Sequence, residues 1–579
     1  MNNAIVAIDF GTFGTTYAFT FLDAKDDIKC AKWSEIANSK NLTEIILNEN
    51  YETIKFGKEC KEYLGQQSST EKKFYHFTDI KMRLYKNETR IKANNDNQIE
   101  FDIDIVISKI LKKIKEIALK EISSLRPSIQ EKDIKWRVTV PAIWSNKSKD
   151  IMQKASIKAE IFDEPLTFFA LEPEAAACDY AAEKMSDQEA IKPGNNYIVC
   201  DIGGGTIDIS THRRMIDDNN SIYIEEIYHP IGGAHGSTYI NKYFMERVIE
   251  KIFGKKAISK LTEIIKNPSL DRDLYNDNDV FLEEIENFKT SIKQENINDS
   301  KRINCSFFKD IISEDISKLI EKYNKNCPEK WKIEKFNKDF KIYFPYQIMI
   351  DLTNEVIVRN VIKYLKRIIK NVQNIKSIIY AGTVSSNYFI ISMIKDQLGT
   401  ENNINHYLSA YPSTAIAQGA VIFGFNPFII KSRISKFTIG IECSDPWDES
   451  KHGKRQDLKY FCDIEKNYKC KHNFSPIINK NDNIKVNDII KRQYCIISPR
   501  TTIIFFKTIY KNVKYIDEEY NSKRKCIEFG RVDFDVGDIF DFNDKNLIVE
   551  LQLGGTFVDA KIKYKGIEKS APFDFVNSE

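Results

Sequence analysis

The chain has 579 residues, of which 42% are hydrophobic and 29% are charged. This length exceeds the size at which a single hydrophobic core stops growing, so we expect two or more domains. Lysine and arginine (86) nearly balance aspartate and glutamate (83), which leaves a net charge of +3. This balance argues against a nucleic-acid-binding surface, so no nucleic-acid partner is expected.

The amino terminus and the cysteines indicate a cellular location. The segment MNNAIVAIDF lacks the basic and apolar regions of a signal peptide. No apolar run approaches the ~18 residues of a membrane span. The 11 cysteines have no regular spacing, which fits a reducing compartment. We therefore expect a cytoplasmic protein without a membrane partner. The cluster of Cys462, Cys470 and His472 fits either a zinc site or scattered loop residues.

The first predicted element is a β-hairpin. In AIVAIDFGTFGTTYAFTF an apolar strand ends at Asp9, and a turn with Gly11 and Gly14 leads into a threonine-rich strand. Helical spacing of isoleucines in VISKILKKIKEIALKEI then predicts a helix, and IKWRVTVPAIW predicts a strand that ends near Pro141. Ser145 is expected to cap the next helix.

A second hairpin repeats this pattern in YIVCDIGGGTIDIS. Three successive glycines permit positive φ and let another group approach the backbone. The exposed amides suit a phosphate, and the flanking carboxylates of Asp201 and Asp208 suit a hydrated Mg²⁺ ion. Taken alone, the stretch fits an ordinary glycine-rich hairpin equally well. Its recurrence favours a duplicated α/β lobe, with a nucleotide between the lobes, over a solenoid.

The remaining segments change character along the chain. IYHPIGGAHGSTYINKYFMERVIEKIFG turns from a glycine loop into a helix, and a polar helical stretch is expected over about 260–370. NIKSIIYAGTVSSNYFIISMIKDQLG predicts a strand, a turn of small residues and a helix. From about Lys431 the sequence is β-rich, and LIVELQL and FVDAKIKYKG are predicted to pair through a turn at Gly554 and Gly555.

In this order the motifs resemble the actin-like ATPase superfamily and, within it, the heat-shock 70 kDa chaperone family, over essentially the whole chain. VTVPAIW followed by LEPEAAACDYA is the most specific motif outside the glycine loops, and GGAHGSTYIN and LGGTFVDA look most like the divergent 12A-type branch. The resemblance implies an α/β fold: a two-lobed actin-like ATPase domain with duplicated ribonuclease H-like lobes, then a smaller β-rich domain without a helical lid.

The domain bounds follow from the same resemblance. The nucleotide-binding domain is predicted over 1–430 and the β-rich, substrate-binding-like domain over 431–579. Lobe I is expected over about 1–192 and lobe II over about 193–380. Residues 381–430 are expected to close the adenosine site and return to lobe I.

The resemblance implies ATP or ADP and Mg²⁺ as cofactors, and it assigns roles to individual residues. Lys81, in FTDIKMRLY, would reach the γ-phosphate and the attacking water, and Glu172 would orient water or metal. The implied catalytic residues are Lys81, Glu172, Asp201 and Thr206, and the implied metal-binding residues are Asp9, Asp201 and Asp208. The implied cofactor-binding residues are Gly11, Thr12, Phe13, Gly203, Gly204, Gly205, Thr206, Gly232, Gly233, Glu286, Lys289, Gly382 and Thr383.

Plainer interpretations remain open for four of these residues. Lys81 would be a solvated surface lysine, and Glu172 would be a carboxylate that is favourable at a helix N-terminus. Glu286 and Lys289 would be an exposed helical ion pair. The chain also departs from the family pattern at Phe13 and in the segment KSRISKFTIG, which replaces the acidic, leucine-rich linker of the chaperones.

These observations lead to three functional hypotheses. The first is an ATP-binding, slowly hydrolysing chaperone-like protein, a weak Mg²⁺-dependent ATPase, whose β-rich domain binds unfolded or extended polypeptide along a sheet edge. Co-chaperones or an exchange factor are further partners under this hypothesis. The second is a nucleotide-dependent scaffold or regulator with negligible turnover. The third is a small-molecule kinase, which would need a carboxylate base on its substrate side and gives no reason for the β-rich domain.

Overall fold

The structure is a computed structural model of a mixed α/β protein, the predicted class. It describes residues 3–33, 40–66, 73–96, 98–162, 168–182, 190–219, 221–266, 270–309, 311–336, 340–399, 403–511, 513–516, 526–552 and 559–571. The chain forms two compact units. The first comprises 1–210 and 231–427, and the second comprises 211–230 and 428–579.

One sheet of the first unit contains the first predicted hairpin, which the structure confirms. Ala4–Asp9 pairs antiparallel with Gly14–Phe21 and parallel with Ile134–Val140. Both strands of the hairpin are buried along their whole length, including the threonines of the second strand. The strand order is Phe169–Leu171, Ile134–Val140, Ala4–Asp9, Gly14–Phe21 and Lys29–Cys30, and Asn41–Leu42 also pairs with Gly14–Phe21.

A second sheet contains the strands of the second hairpin. Asn196–Ile202 pairs parallel with Ile375–Ala381, and Asp201 lies opposite Ala381. The carboxyl ends of parallel strands are where open α/β sheets bind ligands, and Asp9 and Asp201 each lie at such an end. In the first unit the strand order is Asn405–Leu408, Ile375–Ala381, Asn196–Ile202 and the first residues of Ile207–Ile216.

Helices and smaller sheets complete the first unit. Ser145 caps its helix as predicted, accepting a hydrogen bond from the Ser148 amide at 3.1 Å. The α-helices are Glu59–Gln66, Ile80–Tyr85, Ile103–Leu125, Asn146–Lys158, Glu172–Ala182, Thr238–Phe244, Glu250–Phe253, Lys255–Lys266, Arg272–Thr290, Ile316–Asn326, Tyr346–Thr353, Arg359–Asn371, Tyr388–Leu398 and Ala415–Phe425, and the π-helices are Met245–Ile249 and Asn354–Val358. Across the described ranges, no helix has the length and apolar character needed to cross a membrane.

The stretch that was predicted as helical over about 260–370 also contains β-structure. Ser300–Asn304 and Glu334–Phe336 each pair antiparallel with Lys341–Pro345. The alternating burial of Lys341–Pro345 is typical of a strand, but its partner lies some 40 residues earlier in the chain. The other small sheets of this unit are formed by Thr53–Phe56, Ile45–Asn48 and Phe74–Phe77, and by Arg90–Lys92 with Glu100–Asp102.

The second unit is rich in β-structure. Asn546–Gln552 pairs antiparallel with Asp559–Tyr564, as predicted, while the turn predicted at Gly554 and Gly555 lies outside the described residues. Two sheets of this unit have the orders Lys459–Cys462, Asn467–Ile478, Thr438–Pro446, Arg500–Thr508, Ile527–Asp535; and Ile489–Cys495, Asn546–Gln552, Asp559–Tyr564, Ile567–Ala571. Ile222–Gly233, Ile430–Ile434 and Asn483–Lys485 are also neighbouring strands, in that order. Its core includes Ile441, Phe505, Val549 and Ile562. One further helix, Glu449–His452, is described here.

Candidate functional site

The two glycine turns lie against each other in the first unit. A methyl group built on Gly205 would lie 2.4 Å from the Thr12 Oγ1 atom and 2.4 Å from the Met82 Sδ atom, so a larger residue there would displace these side chains. The Gly203 amide donates to the Thr206 carbonyl at 2.9 Å and closes the second turn. Residues of both turns therefore border the same space.

A cavity of about 40 Å³ lies between the two turns. Predicted site residues from both hairpins line it, together with residues from five other parts of the chain. The lining residues are Asp9, Gly11, Thr12, Phe13, Gly14, Lys40, Lys81, Glu172, Asp201, Gly203, Gly204, Gly205, Thr206, Gly382, Thr383 and Ile416. We refer to it as the loop cavity. It brings together most of the residues that the resemblance assigned to phosphate, metal and catalysis.

Lys81 and Glu172 form a buried ion pair at the loop cavity. The Lys81 Nζ atom lies 2.5 Å from Glu172 Oε1, and the two side chains are only 6% and 4% exposed. The interpretation of Lys81 as a solvated surface lysine is therefore wrong. Burial opposes the charge of Lys81, but Glu172 and Asp9 outweigh it and raise the lysine's pKa. The group is held as a cation. Glu172 is also the first residue of the helix Glu172–Ala182. Its position therefore fits a residue that orients water or metal and equally fits a carboxylate that is favourable at a helix N-terminus.

Asp9 and Asp201 differ in their electrostatic surroundings. Burial alone would raise the pKa of Asp9, but the charges of Lys40 and Lys81 outweigh it and lower that pKa. Burial, reinforced by Glu172 and Asp208, holds the pKa of Asp201 well above its usual range. A cation beside Asp201 would offset the free-energy cost of burying its negative charge near other carboxylates.

The surroundings of Asp201 fit a hydrated metal ion. Its Oδ1 atom is buried, and no described residue donates a hydrogen bond to it. A carboxylate oxygen without a donor suits a water molecule of hydrated Mg²⁺, which is bound through few protein ligands. In the described part of the chain, no three His, Cys, Asp or Glu side chains are grouped so that they could ligate a metal directly.

Lys40, which was not among the predicted site residues, lines the same cavity. Its Nζ atom lies 2.6 Å from Asp9 Oδ2, and its side chain is 17% exposed. The other oxygen of Asp9 accepts a hydrogen bond from Thr139 at 3.2 Å. Nothing in the surrounding letters SKNLT indicates a site residue, because the position depends on the pairing of Asn41–Leu42 with the first hairpin.

Asp208, which was assigned to the metal, does not line the loop cavity. Its Oδ2 atom accepts hydrogen bonds from the amides of Ala142 and Ile143 at 2.5 and 3.4 Å. Burial and the negative charge of Glu172 raise its pKa to about 7, against the opposing effect of those amides. In this position Asp208 joins the second hairpin to the loop after Ile134–Val140.

We expect Asp208 to make the protein less stable as the pH rises from about 4 to about 7. Its folded-state pKa lies above that of an ordinary aspartate, so the folded chain binds the proton more tightly than the unfolded chain. The contribution is therefore complete below about pH 4 and is lost as the pH approaches 7. Asp208→Asn should flatten this part of the profile when urea unfolding is measured at several pH values. The exposed control Asp218→Asn should retain the wild-type slope, and parallel profiles for all three proteins would contradict the assignment.

Glu286 and Lys289, which were assigned to the cofactor, line a larger cavity. Lys289 Nζ lies 2.6 Å from Glu286 Oε2, and the lysine side chain is 6% exposed. The interpretation as an exposed pair is thus wrong for Lys289. Burial lowers its pKa against the attraction of Glu286. This cavity, about 920 Å³ in volume, is also lined by Thr383, which lines the loop cavity as well.

The structure does not bring Gly232 and Gly233 to either cavity. Gly232 packs against the Ile207 carbonyl, and Gly233 lies against Tyr364 and His235. The following residues instead support the second turn: the amide of Gly236, which the sequence analysis missed, donates to the Gly205 carbonyl at 3.1 Å. The sequence signal for this role is the third glycine of GGAHGS.

Comparison with curated proteins finds similarity over most of the chain. Human heat shock 70 kDa protein 12A is 23% identical in an alignment 610 residues long, gaps included, that covers 90% of this chain and 84% of that protein. The mouse protein of the same name is 23% identical over 609 residues with the same coverage. Human heat shock 70 kDa protein 12B is 25% identical over 321 residues, or 44% of this chain and 46% of that protein.

No family model matches the chain. The pairwise similarities nevertheless confirm the predicted resemblance to the divergent 12A-type branch of the heat-shock 70 kDa proteins.

Proposed function

We propose that the protein binds ATP with Mg²⁺ and hydrolyses it slowly, as a chaperone-like protein. The observation that carries this proposal is the loop cavity, where two glycine turns, the Lys81–Glu172 pair and Asp201 converge. Backbone amides in glycine turns bind phosphate oxygens, and a buried lysine stabilises charge that develops during phosphoryl transfer. The similarity to proteins named heat shock 70 kDa protein 12A supports the same class.

Each group has a defined task under this proposal. The turns containing Gly11 and Gly205 bind the phosphates, and Lys81 stabilises the γ-phosphate and the attacking water. Glu172 holds Lys81 in place and orients that water. When bound beside Asp201, Mg²⁺ would neutralise phosphate charge. The larger cavity, with Glu286 and Lys289, would bind the adenosine.

The proposed architecture is an actin-like ATPase domain over 1–430 with lobes at about 1–192 and 193–380, followed by a β-rich domain over 431–579 without a helical lid. We propose that the β-rich domain binds extended polypeptide at a sheet edge. Ile489–Cys495 is an edge strand of one of the sheets in this domain, and the side chains of this strand are exposed or half-buried. An edge strand presents backbone groups that can pair with an added strand. Co-chaperones or an exchange factor would act on this cycle.

ATP with Mg²⁺ is expected to raise the melting temperature of the full-length protein by several degrees. Ligand at about 100 times its dissociation constant adds roughly 2.7 kcal/mol to the free energy of unfolding. Differential scanning fluorimetry at millimolar ATP measures this shift. ATP in EDTA should give a smaller shift than MgATP. No shift with MgATP at any tested concentration would contradict the proposal.

Turnover measurements separate the three hypotheses. A chaperone-like ATPase should release phosphate slowly, and unfolded polypeptide should change the rate. A scaffold would bind MgATP with the same thermal shift but show no turnover with or without polypeptide. Phosphorylation of an added sugar or polyol would favour the kinase.

A further inference from the structure

Lys40 is a second ammonium group at the loop cavity, and its side chain is half-buried. Three carboxylates and two lysines line this cavity: Asp9, Glu172, Asp201, Lys40 and Lys81. Lys81 lies 2.5 Å from Glu172 and is 6% exposed, so its charge is directed to that partner. Lys40 is 17% exposed and directly precedes the short strand Asn41–Leu42, which pairs with the first hairpin. Of the two, Lys40 has the greater freedom to meet an incoming anion.

Among the residues that the structure describes, the contact with Asp9 leaves Lys40 with further donor capacity. An ammonium group has three N–H donors, and the Asp9 Oδ2 atom at 2.6 Å accepts one of them. Asp9 is itself only 2% exposed, so it holds the ammonium at the wall of the cavity. The side chain between the backbone and this contact is a flexible four-carbon stem, which allows small movements of the charge.

Lys40 contacts Asp9, one of the carboxylates that the resemblance assigns to the metal. Thr139 occupies Asp9 Oδ1 and Lys40 occupies Oδ2, whereas the Oδ1 atom of Asp201 receives no donor from the described residues. A hydrated metal ion would therefore find its open acceptor at Asp201. At Asp9 the positive charge is already supplied by the chain.

We propose that Lys40 is a phosphate-binding residue that bridges Asp9 and the nucleotide phosphates, so that the chain itself supplies part of the charge otherwise provided by Mg²⁺. This inference rests on the proposed ATP binding and adds a residue to that site. It has a distinct consequence: nucleotide affinity in the absence of Mg²⁺ should depend on Lys40 more strongly than affinity in its presence.

The test compares Lys40→Gln with the wild type and with Lys58→Gln, an exposed lysine that does not line the cavity. Isothermal titration calorimetry with ATP is run in EDTA and in excess Mg²⁺. A charge-assisted contact to phosphate corresponds to roughly a ten- to hundredfold change in affinity. We expect Lys40→Gln to lose that much affinity in EDTA and less in Mg²⁺, and Lys58→Gln to match the wild type. Equal affinities of wild type and Lys40→Gln in EDTA, or no binding by either, would overturn the inference.

A paired variant separates direct contact from net charge and from misfolding. The double variant, Asp9→Asn combined with Lys40→Gln, removes one charge of each sign. It therefore does not leave the buried Asp9 carboxylate without its cationic partner. If Lys40 contacts phosphate, the double variant melts near the wild type without nucleotide but still binds ATP weakly in EDTA. Recovery of wild-type affinity would show that Lys40 acts only through Asp9 and would overturn the inference. Failure of the wild type to bind MgATP would instead contradict the proposed function.

Discussion

Lys81→Met is expected to slow single-turnover ATP hydrolysis by about a hundredfold or more while largely sparing ATP binding. Methionine keeps most of the length of the side chain but removes the ammonium group that lies 2.5 Å from Glu172. Removing a preorganised charge of this kind typically costs 10²–10³ in rate, because its stabilisation is largest in the transition state. Quench-flow measurement with enzyme in excess over labelled ATP gives the rate, and calorimetry gives the affinity.

The variant also leaves Glu172 buried without its cation, which lowers the free energy of unfolding. The double variant Lys81→Met with Glu172→Gln removes both charges and should recover part of this stability without recovering the rate. Lys86→Met, at an exposed position just after the same helix, serves as the matched control and should hydrolyse ATP at the wild-type rate. A Lys81→Met rate within about twofold of the wild type would exclude a catalytic role for Lys81.

The hairpins could be predicted from sequence because their signals are local. An apolar strand, an aspartate, glycines and a second strand occupy fewer than about twenty residues, and each part has its own conformational preference. The structure pairs Asp9 with Thr16 in the first hairpin and closes the second between Gly203 and Thr206, in agreement with those preferences. The Ser145 helix cap is predictable for the same reason.

The composition of the cavity could not be predicted in this way, because it depends on contacts between distant segments. The Lys81–Glu172 pair joins residues 91 positions apart, and Lys40 reaches Asp9 across 31 positions. The resemblance to the chaperone family predicted roles for Lys81 and Glu172, but it predicted no role for Lys40. The two-residue strand Asn41–Leu42 that positions Lys40 is too short to leave a periodic pattern.

Gly382 is expected to be essential for nucleotide binding, and Gly382→Ala should weaken MgATP affinity by roughly a hundredfold or more. The residue has φ 86° and ψ 160°, a conformation that is essentially restricted to glycine. A methyl group on it would lie 2.2 Å from Asp201 Oδ1 and 2.6 Å from the Ile202 carbonyl oxygen. These atoms belong to the proposed metal-binding carboxylate and to the backbone of the strand Asn196–Ile202, so relief of the clash must displace the site itself.

Gly254→Ala provides a control with the same backbone strain but without the clash. Gly254 has φ 85° and ψ 161°, and no described atom lies within 4 Å of a methyl group built there. Both variants should lose about 1–3 kcal/mol of stability from the backbone conformation. Only Gly382→Ala should lose more and also lose binding, because only its methyl group meets Asp201. Equal losses of stability, with MgATP affinity retained in both variants, would show that the close approach of Gly382 to Asp201 does not determine the shape of the site.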